Sequence, residues 1–346
     1  MGLAAALIGG CGGPATPAVQ DSNPGGLDGP GDGGLEGPGD GGLEGPGDGG
    51  PEGPGDGGPI TSGRGFTSPG PWVSFYGTAS EMGDLALVAD RFRVINVDAD
   101  PTAGNFTREQ ILALQAGGKN RVLSYLDLGS CENFRSYWAT VPPGFVSCAA
   151  NTAAHRGAYD GFPDEVWMDV GDPDFQHLLV DYVAPRLVAQ GVDGFFLDNL
   201  EIVEHGIRTK DGPCDASCVQ GGLDLVRRLR ERFPDLVLVM QNATGVVTRL
   251  GHTGGIAFPT LLDGVSHEEV YTPRVDDSAQ AELLAWAALG LRPNGRTFWI
   301  ATEDYVGSCG ASLAASTAYE RSRAHGFSPY VTDQSGGQGV ICYWPF

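Results

Sequence analysis

Carboxylates and amides cluster where apolar runs stop. In Gly191 to Glu204, GVDGFFLDNLEIVE, the residues Phe195, Phe196 and Leu197 give way to Asp198, Asn199, Glu201 and Glu204. The same break recurs at Asp98, at Asp127 with Glu132 and Asn133, at Asn242, at Glu268 with Glu269, and at Glu303 and Asp304 with Tyr305. Side chains that follow the last apolar residue of a buried parallel strand emerge at the carboxyl edge of the sheet, where α/β proteins place their chemistry. Two carboxyl groups there, held at different proton occupancy by burial and mutual repulsion, can break a glycosidic bond. One protonates the leaving oxygen, and the other attacks the anomeric carbon or activates water. Asp198 is the first candidate, against the competing reading of a cap for the next helix. Glu204 reads as solvated helix surface.

Other chemistries fit less well. Clustered carboxylates also bind Mg²⁺ or Ca²⁺, which leaves open a structural envelope protein that holds divalent cations. The sequence has no G-x-x-x-x-G-K loop for phosphates and no Gly-x-Ser-x-Gly elbow. Its histidines, His177, His205, His252, His267 and His325 among them, lack zinc spacing, and CDASC at 214–218 lacks a second ligand pair. No cofactor and no resident metal are expected. Tyr76, Tyr125, Trp138, Trp167, Tyr271, Trp299 and Tyr305 suit stacking on sugar faces, with core packing as the alternative for each.

Strand and helix signals alternate from Pro71 onward. Strands are expected at 72–76, 92–97, 121–126, 165–170, 194–197, 236–240, 262–265, 297–301 and 327–331. Helices are expected after Thr107, from Pro173 through Ala189, and over 223–233, 279–289 and 313–323. The stretch from Arg135 to Phe162 has no clear period and reads as a long loop, and 211–222 as a cysteine-bridged excursion. This alternation suits a (β/α)8 TIM-like barrel. Nine strand candidates are one too many, so either EVWMDV or FSPYV lies outside it.

The first sixty residues differ in kind. Residues 1–11 are apolar and end in LIGGC, as in an export signal with Cys11 lipidated, although no basic residue precedes the run. Residues 12–59 cycle through octads such as GGLEGPGD, and 12–68 read as a disordered acidic tether. The period of eight excludes collagen and fits a calcium-binding roll poorly. The folded domain is expected over 69–346.

The chain has 346 residues and a net charge of −22, with arginine far outnumbering lysine and no basic cluster. That argues against nucleic acid and leaves a cationic partner as an option. Besides Cys11, the six cysteines Cys131, Cys148, Cys214, Cys218, Cys309 and Cys342 read as disulfides of an exported protein. Proximity favours neighbours in that order as pairs.

Taken in order, VLSYLDLGSCENFRSYW, VWMDVGDPDF, GVDGFFLDNLEIVE, MQN, DGVSHEEVY and TEDY resemble the glycoside hydrolase family of endo-α-1,4-polygalactosaminidases. The resemblance covers the chain from about Trp72 onward and none of the tether. It implies an endo-acting barrel hydrolase of galactosamine-containing polysaccharide. The LIGGC segment and the cysteines, for their part, favour the outer surface of a bacterial membrane or secretion, and a monomer is expected. The resemblance also implies a pair made of the FLDN aspartate, Asp198, and the glutamate of the later motif, Glu268. Glu269 is second in rank because EE leaves the register open. In a retaining reaction the aspartate attacks and the glutamate is acid and base. Asp98, Asp127, Glu132, Asn133, Asn199, Glu201, Asn242, Glu269, Tyr271, Asp304, Tyr305, Tyr76 and Tyr125 would line the sugar site. The chain departs from the commoner family pattern at Asp127 and in the cysteine loop 211–222. A carbohydrate-binding barrel without catalysis is the alternative.

Overall fold

The computed structural model describes residues 63–67, 70–310, 312–333 and 337–345, all within one compact unit, Gly58–Phe346. Cys11 and the octads lie outside the described residues. Among the described residues no helix is long and apolar enough to cross a membrane.

The strands, in chain order, are β1 (Trp72–Phe75), β2 (Val94–Val97), β3 (Arg121–Asp127), β4 (Ser130–Glu132), β5 (His155–Tyr159), β6 (Phe162–Met168), β7 (Gly194–Asp198), β8 (Val237–Gln241), β9 (His252–Thr253), β10 (Ile256–Ala257), β11 (Gly264–Glu268), β12 (Trp299–Val306) and β13 (Ser328–Asp333). Eight of them form one parallel sheet in the order β1-β2-β3-β7-β8-β11-β12-β13. This is the expected TIM-like barrel, nearly closed. Between β13 and β1 the ladder is open, and Trp72 Nε1 spans it with a hydrogen bond of 2.9 Å to Ser328 O. FSPYV therefore belongs to the barrel, and EVWMDV is the extra.

Inward and outward side chains alternate along each barrel strand. Trp72, Phe196, Trp299 and Tyr330 meet in the lumen, with ring centroids 5.3 to 6.0 Å from Trp72. They plug its lower half and leave the upper half to polar residues.

Four expectations change. Residues 135–162 are not a plain loop: β4, β6 and β5 make a three-stranded antiparallel sheet over the mouth, closed by the Cys131–Cys148 disulfide. The helix read from Leu223 starts at Ala216 and runs to Arg232, capped by Asp215 Oδ1 on the amides of Ser217 and Cys218. Cys214–Cys218 staples its first turn. Strand β12 continues through Glu303 and Asp304, so those acids are inside the strand. The folded part also begins before residue 69, since Phe66 is buried against Trp299 and bridges Thr297.

Helix starts follow ordinary capping. Thr107 and Gln110 form a capping box, and Asp172 caps the helical segment opened by Pro173, which passes through a π turn at Leu178–Val183. No helix follows β13 among the described residues. Instead 337–345 runs back along the barrel, tied by Cys309–Cys342, by Trp344 Nε1 to Val331 O at 2.8 Å and by Tyr343 against Phe92.

Candidate active site

The carboxyl ends of the barrel strands surround a cavity of about 470 Å³. Asp98, Asp198, Gln241, Asn242 and Glu268 reach it from strand ends, with Tyr76 and Tyr125 between them. The side sheet and its loops add Glu132, Phe134, Arg135, Tyr159, Phe162 and Glu165.

Left-handed residues turn three successive strand ends. Asn199, Asn242 and Glu269 follow β7, β8 and β11 directly with φ of 59°, 59° and 54°. Asparagine tolerates this conformation better than most residues. In the third turn Glu268 faces the cavity and Glu269 points out to solvent. Of the two neighbours, Glu268 alone lines the cavity. Gly129 matters in the same way, because a Cβ there would lie 1.7 Å from Asn199 O. Only glycine lets the turn after β3 approach the end of β7.

Glu268 is held by donors. Asn242 Nδ2 donates to its Oε2 at 2.7 Å, Gln338 Nε2 to its Oε1 at 3.3 Å, and the Tyr305 hydroxyl also donates to Oε1. Asp198 differs: its Oδ1 is buried with no partner. Burial, then the charges of Glu201, Glu268 and Asp127, push its carboxyl well above the ordinary range. Glu201, touched by Tyr159 OH at 3.4 Å, is pushed up to about 7 by burial and by Glu268.

A second group stands beside them. Asp127 Oδ1 accepts from the amides of Gly129 and Ser130 at 3.1 and 2.8 Å and from Asn199 Nδ2 at 3.2 Å. Arg135 is the cation of this wall, paired with Asp98 at 2.7 Å and with Glu132, and its guanidinium lies over the Tyr125 ring. Beneath them Glu303 is wholly buried, with neither carboxylate oxygen partnered, in register between Glu268 and Tyr330. Burial, then the charges of Glu268 and Asp304, push its carboxyl well above the ordinary range.

Not every sequence candidate converges. Asn133 is exposed and hydrogen-bonds Asp164 across the side sheet. Tyr271 is buried beside the mouth, and Asp304 Oδ1 accepts the amides of Tyr271 and Thr272 at 2.6 and 2.9 Å. Those two hold a loop and do not line the cavity. Glu204 is no solvated surface residue: its carboxylate accepts the amides of Val247 and Thr248 at a helix start. Glu165, Arg135, Phe134, Phe162, Tyr159, Gln241 and Gln338 line the cavity and were missed. Glu165 had a signal, since it alternates with Trp167 along a strand-like stretch, and so did Gln241, which ends an apolar run beside Asn242. Among the described residues no group of three or more His, Cys, Asp or Glu is arranged to hold a metal ion.

Two carboxyl groups on one cavity at the carboxyl ends of a parallel barrel are the arrangement that glycosidic bond cleavage calls for. The chain belongs to glycoside-hydrolase family GH114, whose pattern it matches over residues 71–252, more than half its length. It is a glycoside hydrolase, and the binding-only alternative gives way. It is similar to an uncharacterized protein of Deinococcus radiodurans, 26% identical over 257 residues that span 69% of this chain and 73% of that one. Its fold is also that of the glycoside hydrolase domain of PelA from Pseudomonas aeruginosa, with a TM-score of 0.58, 18% identity, and coverage of 77% of this chain and 96% of that one. A point variant of the same domain gives 0.57 at 17% identity.

Proposed function

We propose that the protein is an endo-acting hydrolase of α-1,4-linked, galactosamine-containing polysaccharide, with Asp198 and Glu268 as the reacting pair. The observation that carries this is their joint exposure to one cavity in different hydrogen-bonding states. Asp198 Oδ1 has no partner to surrender before it attacks the anomeric carbon. Glu268 gives a proton to the leaving oxygen and later takes one from water, while Asn242, Tyr305 and Gln338 keep its carboxyl in place. Tyr76, Tyr125, Phe134 and Phe162 offer faces for sugar rings. A polymer carrying free amines would be drawn to a cavity rich in carboxylates.

The three disulfides fit an oxidising compartment outside the cytoplasm. The sequence ahead of residue 63 supports, in addition, export with a lipid at Cys11 followed by an acidic tether.

The test is incubation with a panel of amino-sugar and neutral polysaccharides, scored for size reduction, with Glu268→Gln as control. Shortening of the galactosamine polymer by internal cuts is expected from the wild type alone. Shortening of neutral polymers only, or equal shortening by the variant, would contradict the reading.

A further inference from the structure

Hydrogen counting singles out one cluster beside Asp198. Ser130 Oγ lies 2.5 Å from Asp127 Oδ2 and 2.7 Å from Glu165 Oε2. Asn199 Nδ2 donates to the same hydroxyl oxygen at 3.1 Å and sits 3.4 Å from Glu165 Oε2. A serine hydroxyl carries one hydrogen, so it can donate to only one of two carboxylates. The other contact, at that distance, needs a hydrogen from the carboxyl group itself.

We propose that Asp127, Ser130 and Glu165 hold one carboxyl proton between them, and that loss of this proton sets an alkaline limit on the site. In the arrangement that balances, the Glu165 carboxyl O–H donates to Ser130 Oγ, whose own hydrogen goes to Asp127 Oδ2, and Asn199 N–H fills the second lone pair of Oγ. Asp127 is the better anion of the two, since its Oδ1 already accepts three N–H groups. Glu165 is half-buried and is pushed up to about 7, by burial first, then by the charge of Glu132. The groups facing it are Glu132, its register partner on β4, Arg135 just after β4, Tyr159 on the adjoining strand β5, Tyr125 and Asp127 on the barrel side, and Glu201 and Asp198 across the cavity.

The unit matters to catalysis through Asn199, whose amide it holds directly after Asp198. With the proton present, the chain from Glu165 to Asp127 is complete and carries one negative charge. Above the titration of Glu165, two carboxylates compete for one hydroxyl hydrogen, Glu165 Oε2 becomes a charged competitor for the Asn199 amide, and a second negative charge appears near Asp198. Glu165 is therefore a positioning residue, and Ser130 is its link to Asp127. This rests on the assignment of Asp198 and Glu268 only for its effect on activity, because proton sharing can be measured without substrate.

The experiment is a carboxyl-carbon NMR titration of the glutamate-labelled full chain, with the Glu165 resonance assigned by its loss in Glu165→Gln. In Asp127→Asn the serine hydrogen is free for Glu165, whose carboxylate then needs no proton. Sharing predicts that the Glu165 midpoint falls by about one pH unit or more, a tenfold change in proton affinity. An unchanged midpoint in a folded Asp127→Asn would overturn the proposal. The second measurement is the pH profile of chain cutting by Glu165→Gln, whose amide donates permanently to Ser130. Its alkaline limb is expected at higher pH than that of the wild type, relative to its own rate at neutral pH. An unmoved limb, or one moved downward, overturns the proposal too. Failure of the functional reading shows differently, as chain cutting by Glu268→Gln.

Discussion

Strands β7 and β11 each carry a carboxylate at both ends, and the two ends are treated in opposite ways. At the amino end Asp193 and Asp263 precede the strands in matching DG pairs. Asp263 is buried with Arg64 Nε at 3.2 Å and Arg230 Nη2 at 2.6 Å, and it also accepts the Leu238 amide. Asp193 accepts the Val122 amide and Gln115 Nε2 and faces Arg121. At the carboxyl end Asp198 has an oxygen without a partner, and Glu268 has neutral donors only. A buried carboxylate paired with guanidinium groups is committed to holding the fold. One left without a cation keeps a lone pair free to react, which costs stability.

The largest expected effect that sharpens this contrast is on rate. Glu268→Gln should slow chain cutting about 10³-fold, in the range of lost acid–base catalysis, with the melting temperature unchanged. Initial rates of size reduction and a thermal melt check both halves.

Arg135 is where the mouth copies the amino end, since it pairs Asp98 and Glu132. Arg135→Met should cost roughly 3 kcal/mol in a denaturant titration, because it strands two carboxylates that the native residue satisfies.

A smaller effect is the dependence of stability on pH. Glu165 and Glu201 have folded values of about 7 against an ordinary 4.5. A raised folded value means stability is fully present below the unfolded pKa and is lost as pH rises through the folded one. Glu81, Glu109 and Asp215 are shifted down and act only at more acid pH. The melting temperature should therefore fall by roughly 5 °C between about pH 5 and about pH 8.5, and by less in Glu201→Gln. A flat or rising profile would break the contrast.

The barrel and Asp198 were legible because apolar runs that stop in acids are a direct image of parallel strands ending at a mouth. The helix at Ala216 was not, because its first turns hold Gly221 and Gly222, poor helix formers. A Cβ on Gly221 would lie 2.1 Å from the Gly171 backbone, and one on Gly222 2.5 Å from Val203, so close packing removed the periodicity. Glu303 was read as following its strand because a carboxylate inside a barrel breaks the apolar pattern. The side sheet hid for a related reason: β5 and the start of β6 are exposed and lack one clean apolar face. Gln338 comes from a segment with no periodic signal, and only the fold brings it to Glu268.

The most direct test sets Asp198→Asn beside Asp263→Asn, measuring melting temperature and chain cutting in both. If the two ends are divided between reactivity and stability, Asp198→Asn melts at or above the wild-type temperature and cuts nothing. Asp263→Asn then melts well below it, and its folded fraction still cuts. A destabilised Asp198→Asn that retains cutting, or a stable Asp263→Asn that has lost it, would contradict the account.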